Sequence, residues 1–125
     1  MKVAVSATGP SLEAAVDPRF GRCACFVVVD TEDGTFQVID NGSSSLGGGA
    51  GIQAARLVAE RGATTVLTGS VGPNAHETLS AAGIAVVLDC GGTVSEAVAR
   101  LRAGGLRAAA GPNVAGHAGL GRGGR

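Results

Sequence analysis

The chain has no tryptophan, no tyrosine and only three phenylalanines in 125 residues. Its core must therefore be built from Val, Ala, Leu and Ile, and the aromatic platforms on which unpaired bases stack are missing. Net charge is missing too, because ten Lys and Arg balance ten Asp and Glu. No overall field favours nucleic acid or an anionic membrane, although Arg100, Arg102, Arg107, Arg122 and Arg125 load the last quarter with positive charge. No apolar run reaches the roughly 18 residues a membrane helix needs, and no basic segment followed by an apolar run opens the chain, so a cytoplasmic protein is expected. Three cysteines are too few for a disulfide framework, and their odd number would leave one thiol unpaired, so reduced thiols are expected.

Several functional arrangements are disfavoured by what is not there. "GGGAG" at 47–51 precedes a helical pattern, but the Lys-Ser/Thr pair of a phosphate loop is absent, as is G-x-G-x-x-G after the first strand. A two-metal nuclease would need carboxylates at the ends of central strands, where this chain has Val5, Ser6, Ala7 and Leu67, Thr68, Gly69. Ser70 and His76 fall close together but lack the G-x-S-x-G elbow. His76 at a helix start reads more simply as a surface residue.

What is present is a regular alternation of elements. Residues 2–7 read as a first strand, and 23–30 with 35–40 as a hairpin around Asp33-Gly34. Ile52, Ala55, Val58 and Ala59 mark a helix to Arg61, closed by Gly62. Then follow a strand at 64–69, a helix at 74–83 opened by an Asn74/Glu77 capping box, a strand at 84–89, and a helix at 93–104 opened by a Thr93/Glu96 box. The expected domain is 1–105. Residues 106–125, rich in Gly, Ala and Arg, read as a partly mobile tail.

Three meandering strands followed by alternating helices and strands imply an α/β fold: a mixed five-stranded sheet in the order 3-2-1-4-5 with three flanking helices. Strand one then ends at the rim where strand two begins, and the later loops "NGSSSLGGGAG", "GSVGPN" and "DCGGT" arrive at the same rim. A pocket there would be lined by backbone amides and the positive ends of helix dipoles.

The thiols offer a second kind of chemistry. Cys23 and Cys25, two apart in the expected strand, should share one side of it, with Cys23 at the rim beside Arg22 and Cys25 deeper and open to a packing role. Cys90 precedes a helix start that would lower its pKa, and His117 is a candidate nitrogen ligand from the tail. Thiolates suit copper(I), zinc and iron-sulfur species, yet no Cys-x-x-Cys pairing is present.

The segments "MKVAVSATG", "VDPRFGRCACFVVVDTEDGTFQVIDN", "GGGAGIQAARLVAERGATTVLTGSVGPNAHETLSAAGI" and "GGTVSEAVARLRAGGL" occur in an order that resembles the dinitrogenase iron-molybdenum cofactor biosynthesis family, nitrogenase accessory and orange-protein-like proteins, over about residues 1–117. The resemblance implies a ribonuclease H-like sheet without nuclease activity. It also implies that "DPRFGR" at 17–22, "GGGAG" at 47–51 and "GPNA" at 72–75 are the loops at which members handle metal-sulfur units. One relative holds a molybdenum-copper-sulfide cluster without covalent attachment. Many members lack cysteine at positions 23 and 25, so thiol ligation would be a local addition.

The leading expectation is a non-enzymatic carrier of an iron-sulfur or molybdenum-containing metal-sulfur cluster in cofactor assembly. Arg19, Arg22, Gly48, Gly49, Gly51, Gly72, Asn74 and Gly92 would form its cradle, and Cys23, Cys25, Cys90 and His117 would be its metal ligands. Its partners would be a cluster donor or acceptor protein, and a homodimer could complete a four-thiol site. The alternatives are a regulatory or protein-interaction module without metal, in which the cysteines pack, and a small enzyme acting on an anionic metabolite, for which no acid-base pair is assembled.

Overall fold

The structure, a computed structural model, describes residues 1–42, 49–109 and 111. Three strands come first, β1 (Lys2–Ala7), β2 (Cys25–Asp30) and β3 (Phe36–Asp40). They are followed by α1 (Ala50–Glu60), β4 (Thr65–Leu67), α2 (Pro73–Ala81), β5 (Ala85–Val87) and α3 (Val94–Arg102). One five-stranded sheet results, in the order β3-β2-β1-β4-β5. β2 pairs antiparallel with both β1 and β3, whereas β4 and β5 run parallel to β1. This is the α/β arrangement expected from right-handed crossovers after an antiparallel meander.

Strand periodicity sorts the core into two layers. Ala4, Phe26, Val28, Val66 and Val86 face one way and pack under Ala54, Ala55 and Val58 of α1 and Ala75 and Leu79 of α2. Val3, Val5, Val27, Leu67 and Val87 face the other way, under Val94, Ala97 and Val98 of α3. Both faces of β1 are covered, so Val3, Ala4, Val5 and Ala7 are all fully buried. That explains why the small apolar Ala4, rather than a polar residue, stands between Val3 and Val5.

Three local expectations are corrected. The second strand begins at Cys25, not Cys23, because residues 21 and 22 are in a turn. The Asn74/Glu77 box does not form: Pro73, whose fixed φ and missing N–H suit the first helical position, starts α2 early, with Gly72 as an N-cap that has no side-chain bond. β4 and β5 are shorter than expected because regular pairing stops after Leu67 and Val87: Asp89 turns at φ 59, and Ser70 N–H donates away from the ladder to Pro18 O at 2.7 Å. The Thr93/Glu96 box does form, with Glu96 N–H on Thr93 Oγ1 at 3.1 Å and Thr93 N–H on Glu96 Oε1 at 2.9 Å.

Beyond α3, Leu106 packs on the α3-side core and Ala109 N–H donates to Val86 O at 2.6 Å, so the chain follows the outer edge of β5. Gly48, His117 and the greater part of the expected tail lie outside the described residues. Among the described residues, no helix is long and apolar enough to cross a membrane.

Candidate functional site

Where β1 ends, two buried hydroxyls fasten the segment that follows. Ser6 Oγ donates to Asp17 O at 2.7 Å and lies 2.7 Å from Thr68 Oγ1, while Asp17 N–H returns to Ser6 O at 2.8 Å. Pro18 O then accepts both the N–H and the hydroxyl of Ser70, each at 2.7 Å. Arg19 and Ser70 form a short parallel bridge. Phe20 is driven into the core against Phe26, ring centroids 5.1 Å apart. From the other side, Asn41 Nδ2 donates to Gly21 O at 3.2 Å and Cys23 O at 2.9 Å. Residues 17–23 are thus held at both ends and in the middle, with the side chains of Arg19 and Arg22 left exposed.

Glycines allow the neighbouring loops to close on this segment. A Cβ on Gly21 would lie 3.0 Å from the backbone of Gly51, and one on Gly51 would lie 3.0 Å from Ala75 Cβ. Gly49, at φ 106, makes the left-handed turn into α1, a conformation that costs a side-chain-bearing residue far more. Residues 19–22, 49–52 and 70–75 together line a cavity of about 420 Å³, within the range of about 300–1,000 Å³ typical of small-ligand sites.

The electrostatics of this cavity come from two helix starts and two arginines. The first amides of a helix have no acceptor within it. Here those are the N–H groups of Ala50, Gly51 and Ile52 in α1 and of Asn74 and Ala75 in α2, since Pro73 has none. Neither helix carries a side-chain cap or an acidic residue in its first turn. Among the described residues, the cavity wall includes no carboxylate, imidazole or thiol. Such a surface attracts an anion.

Arg19, Arg22, Gly49, Gly51, Gly72 and Asn74 therefore stand together, as the three-loop rim implied. Gly92 does not join them. The α3 start is occupied: Val94 N–H donates to Ala14 O at 2.9 Å, Ser95 N–H to Leu12 O at 2.9 Å, and Glu96 N–H to Thr93. Segment 8–16 folds over that helix end, and Glu96 supplies a carboxylate where an anion would have bound.

The cysteines are not on the cavity wall either. Cys23, expected at the exposed rim, is fully buried under α1 and α2. Its thiol donates to Phe20 O at 3.3 Å and accepts from Asn41 Nδ2 at 3.7 Å. Burial pushes that thiol up to about 12. Cys25 and Cys90 belong to the opposite core layer, so Cys23 and Cys25 do not share a side; Cys23 precedes the strand and escapes its alternation. Burial, and then the Asp40 carboxylate, raises the Cys25 pKa. Burial also raises that of Cys90, overriding the lowering expected beside a helix start. Among the described residues, no group of three or more His, Cys, Asp or Glu side chains is placed to hold a metal ion.

Phe20, Ile52 and Ser70 also line the wall, and Asp17 and Asn41 support it; Ser70 reads in the sequence only as a nucleophile without its elbow, and the other four carry no site signal of their own. The Asp-Pro pair, a turn-forming combination, was the available signal for Asp17.

Comparison with known proteins places this geometry among relatives. The dinitrogenase iron-molybdenum cofactor family model matches residues 1–104. The apo form of the orange protein from Desulfovibrio gigas is 50% identical, with a TM-score of 0.89 over 90% of this chain and 96% of that one. A Thermotoga protein of the DUF35 family, TM1290, solved by NMR, is 34% identical, with a TM-score of 0.75 over 86% of this chain and 91% of that one. An uncharacterized protein of Methanocaldococcus jannaschii, MJ0580, is 31% identical over 74 residues, which are 57% of this chain and 63% of that relative, so the match spans less than two thirds of its length.

Proposed function

The chain belongs to the dinitrogenase iron-molybdenum cofactor family, and from that premise we propose that it binds and carries an anionic metal-sulfur cluster, iron-sulfur or molybdenum-containing, during cofactor assembly. The ligand sits in the cavity between α1 and α2, held by charge and amide hydrogen bonds rather than by thiolates. The observation that carries this reading is the convergence of two uncapped helix starts and two arginines on one cavity. Each helix start contributes about half a positive charge, so with Arg19 and Arg22 the cradle presents about three, part of which Asp17 offsets. Sulfide-rich clusters are negatively charged and expose acceptors on all sides, which suits donors arriving from three loops. A wall without acid-base side chains favours holding a ligand over transferring its protons.

The buried thiols support the non-thiolate form of this reading. Metal binding needs the thiolate, and a site pushed up to about 12 holds its proton at neutral pH. A cluster carried this way can be delivered without breaking metal-thiolate bonds, and its donor and acceptor proteins would meet it at the same open rim.

The test is anaerobic titration with tetrathiomolybdate, a tetrahedral thioanion, alongside reconstitution with iron and sulfide. Bound chromophore and metal are read after gel filtration. Wild type is expected to retain the ligand, Arg19→Gln/Arg22→Gln to lose it, and single Cys→Ala variants to keep it. Equal retention by the double arginine variant, or none by wild type, overturns the reading.

A further inference from the structure

Asp17 is a buried carboxylate, 4% exposed, that the sequence presents only as part of a loop. It cannot swing freely: its N–H is bound by Ser6 O, and its carbonyl receives the Ser6 hydroxyl, itself 2.7 Å from the buried Thr68 hydroxyl. From this fixed position, Oδ1 accepts the Arg19 backbone N–H at 2.9 Å and approaches Arg19 Nε at 3.4 Å. The arginine side chain remains 63% exposed and forms part of the cavity wall. A guanidinium has one N–H on Nε and four on its two terminal nitrogens. Engagement of Nε alone leaves the terminal pair available.

We propose that Asp17 is a positioning residue for the anion site: it anchors Arg19 through Nε so that the terminal guanidinium nitrogens are presented to the bound anion. The inference rests on the anion-cradle reading above and extends it to a residue outside the cavity wall. Its physical basis is that an arginine held at Nε has fewer rotamers to lose on binding. Simple electrostatics pulls the other way, because a carboxylate beside an anion site repels the ligand. Positioning and repulsion therefore predict opposite signs when the charge is removed.

Asp17→Asn keeps the Oδ1 acceptor for the Arg19 backbone and removes the charge that draws in Nε. Anaerobic titrations with tetrathiomolybdate are compared for wild type, Asp17→Asn, Arg19→Gln and the double variant. Asp17→Asn is expected to bind about threefold to tenfold more weakly, the range set by freeing one long side chain. In the Arg19→Gln background the same change is expected to produce no further loss. Arg19→Lys, which keeps the charge but has no Nε donor and leaves the Ser6 and Thr68 network untouched, is expected to match the weakening seen for Asp17→Asn, and it carries the test if that variant does not fold. Unchanged or tighter binding by Asp17→Asn, a loss that persists without Arg19, or wild-type affinity in Arg19→Lys overturns the positioning role while the cradle stands. Failure of wild type to bind the probe overturns the cradle and this inference with it.

Discussion

Replacing Gly69 with alanine should strike both stability and the site, and its size can be worked from three distances. Gly69 lies two residues past the end of β4, directly against Pro18. A Cβ there would lie 2.6 Å from Pro18 Cα, 2.8 Å from Pro18 Cβ and 2.9 Å from Pro18 O. Ordinary contact begins near 3.4 Å, so the turn must retreat by about 0.8 Å, and a proline ring fixed to the main chain cannot absorb that by rotating. The retreat stretches both Ser70 hydrogen bonds to Pro18 O, each worth about 0.5–1.5 kcal/mol. It also incurs an overpacking cost of about 1–3 kcal/mol. A loss of about 2–3 kcal/mol is expected, since the strain and the stretched bonds are alternative ways of accommodating one atom. With a urea m-value of about 2 kcal/mol/M, the midpoint should fall by about 1 M without a change in slope. Gly91→Ala is the control: nothing lies within 4 Å of its Cβ position, so it should be neutral or gain a few tenths of a kcal/mol through the unfolded chain. If Gly69→Ala is no less stable than Gly91→Ala, the close packing of β4 on the arginine loop is refuted.

Arg22→Gln alone should weaken tetrathiomolybdate binding about tenfold or more, the worth of one charge-assisted hydrogen bond. Wild-type affinity should fall as salt rises, more steeply than in the double arginine variant; equal salt slopes would contradict an electrostatic cradle. Thr93→Ala should cost about 1 kcal/mol by removing the α3 cap and leave probe binding unchanged, because that helix start is closed off by Leu12 and Ala14. Stability should decline from pH 9 towards 12. The unfolded Cys23 thiol ionises from 9.0, whereas the folded one holds its proton to about 12; its contribution is complete below pH 9 and is lost as the unfolded chain gains the favourable charged form. Urea midpoints across that range should fall less steeply in Cys23→Ala, and identical slopes would place the thiol in contact with water.

Much of this architecture is legible without coordinates. The Gly62 stop, the Asp33-Gly34 turn and the Thr93/Glu96 box are local chemistry, and each forms as its residues dictate. Asn74 and Glu77 were equally legible as a box, but Pro73 beside them is a stronger determinant of where a helix can begin. Strand direction brought the loops after β3, β4 and β5 to one rim, because parallel strands after a meander deliver their loops to the same edge; residues 49–52 and 70–75 meet 17–22 there, while Gly92 stands apart at the closed start of α3.

The sequence by itself determined the order of elements, the strand order of the sheet and the edge to which its loops run. These depend on periodicity and turn chemistry within a few residues. Only the tertiary structure decided which helix starts remain open. The α1 and α2 starts lack a side-chain cap, while the α3 start is filled by carbonyls of Leu12 and Ala14, about eighty residues earlier in the chain. It also decided the fate of the Cys23 and Cys25 pair. Two residues of spacing put side chains on one face only inside a strand; Cys23 falls just before β2, and Asn41 and Phe20 O hold its thiol in the layer opposite Cys25. A pocket lined by backbone amides could be placed at the rim from strand order, but which amides face it leaves little trace in residue identity, because every residue but proline carries the donor and only the fold aims it.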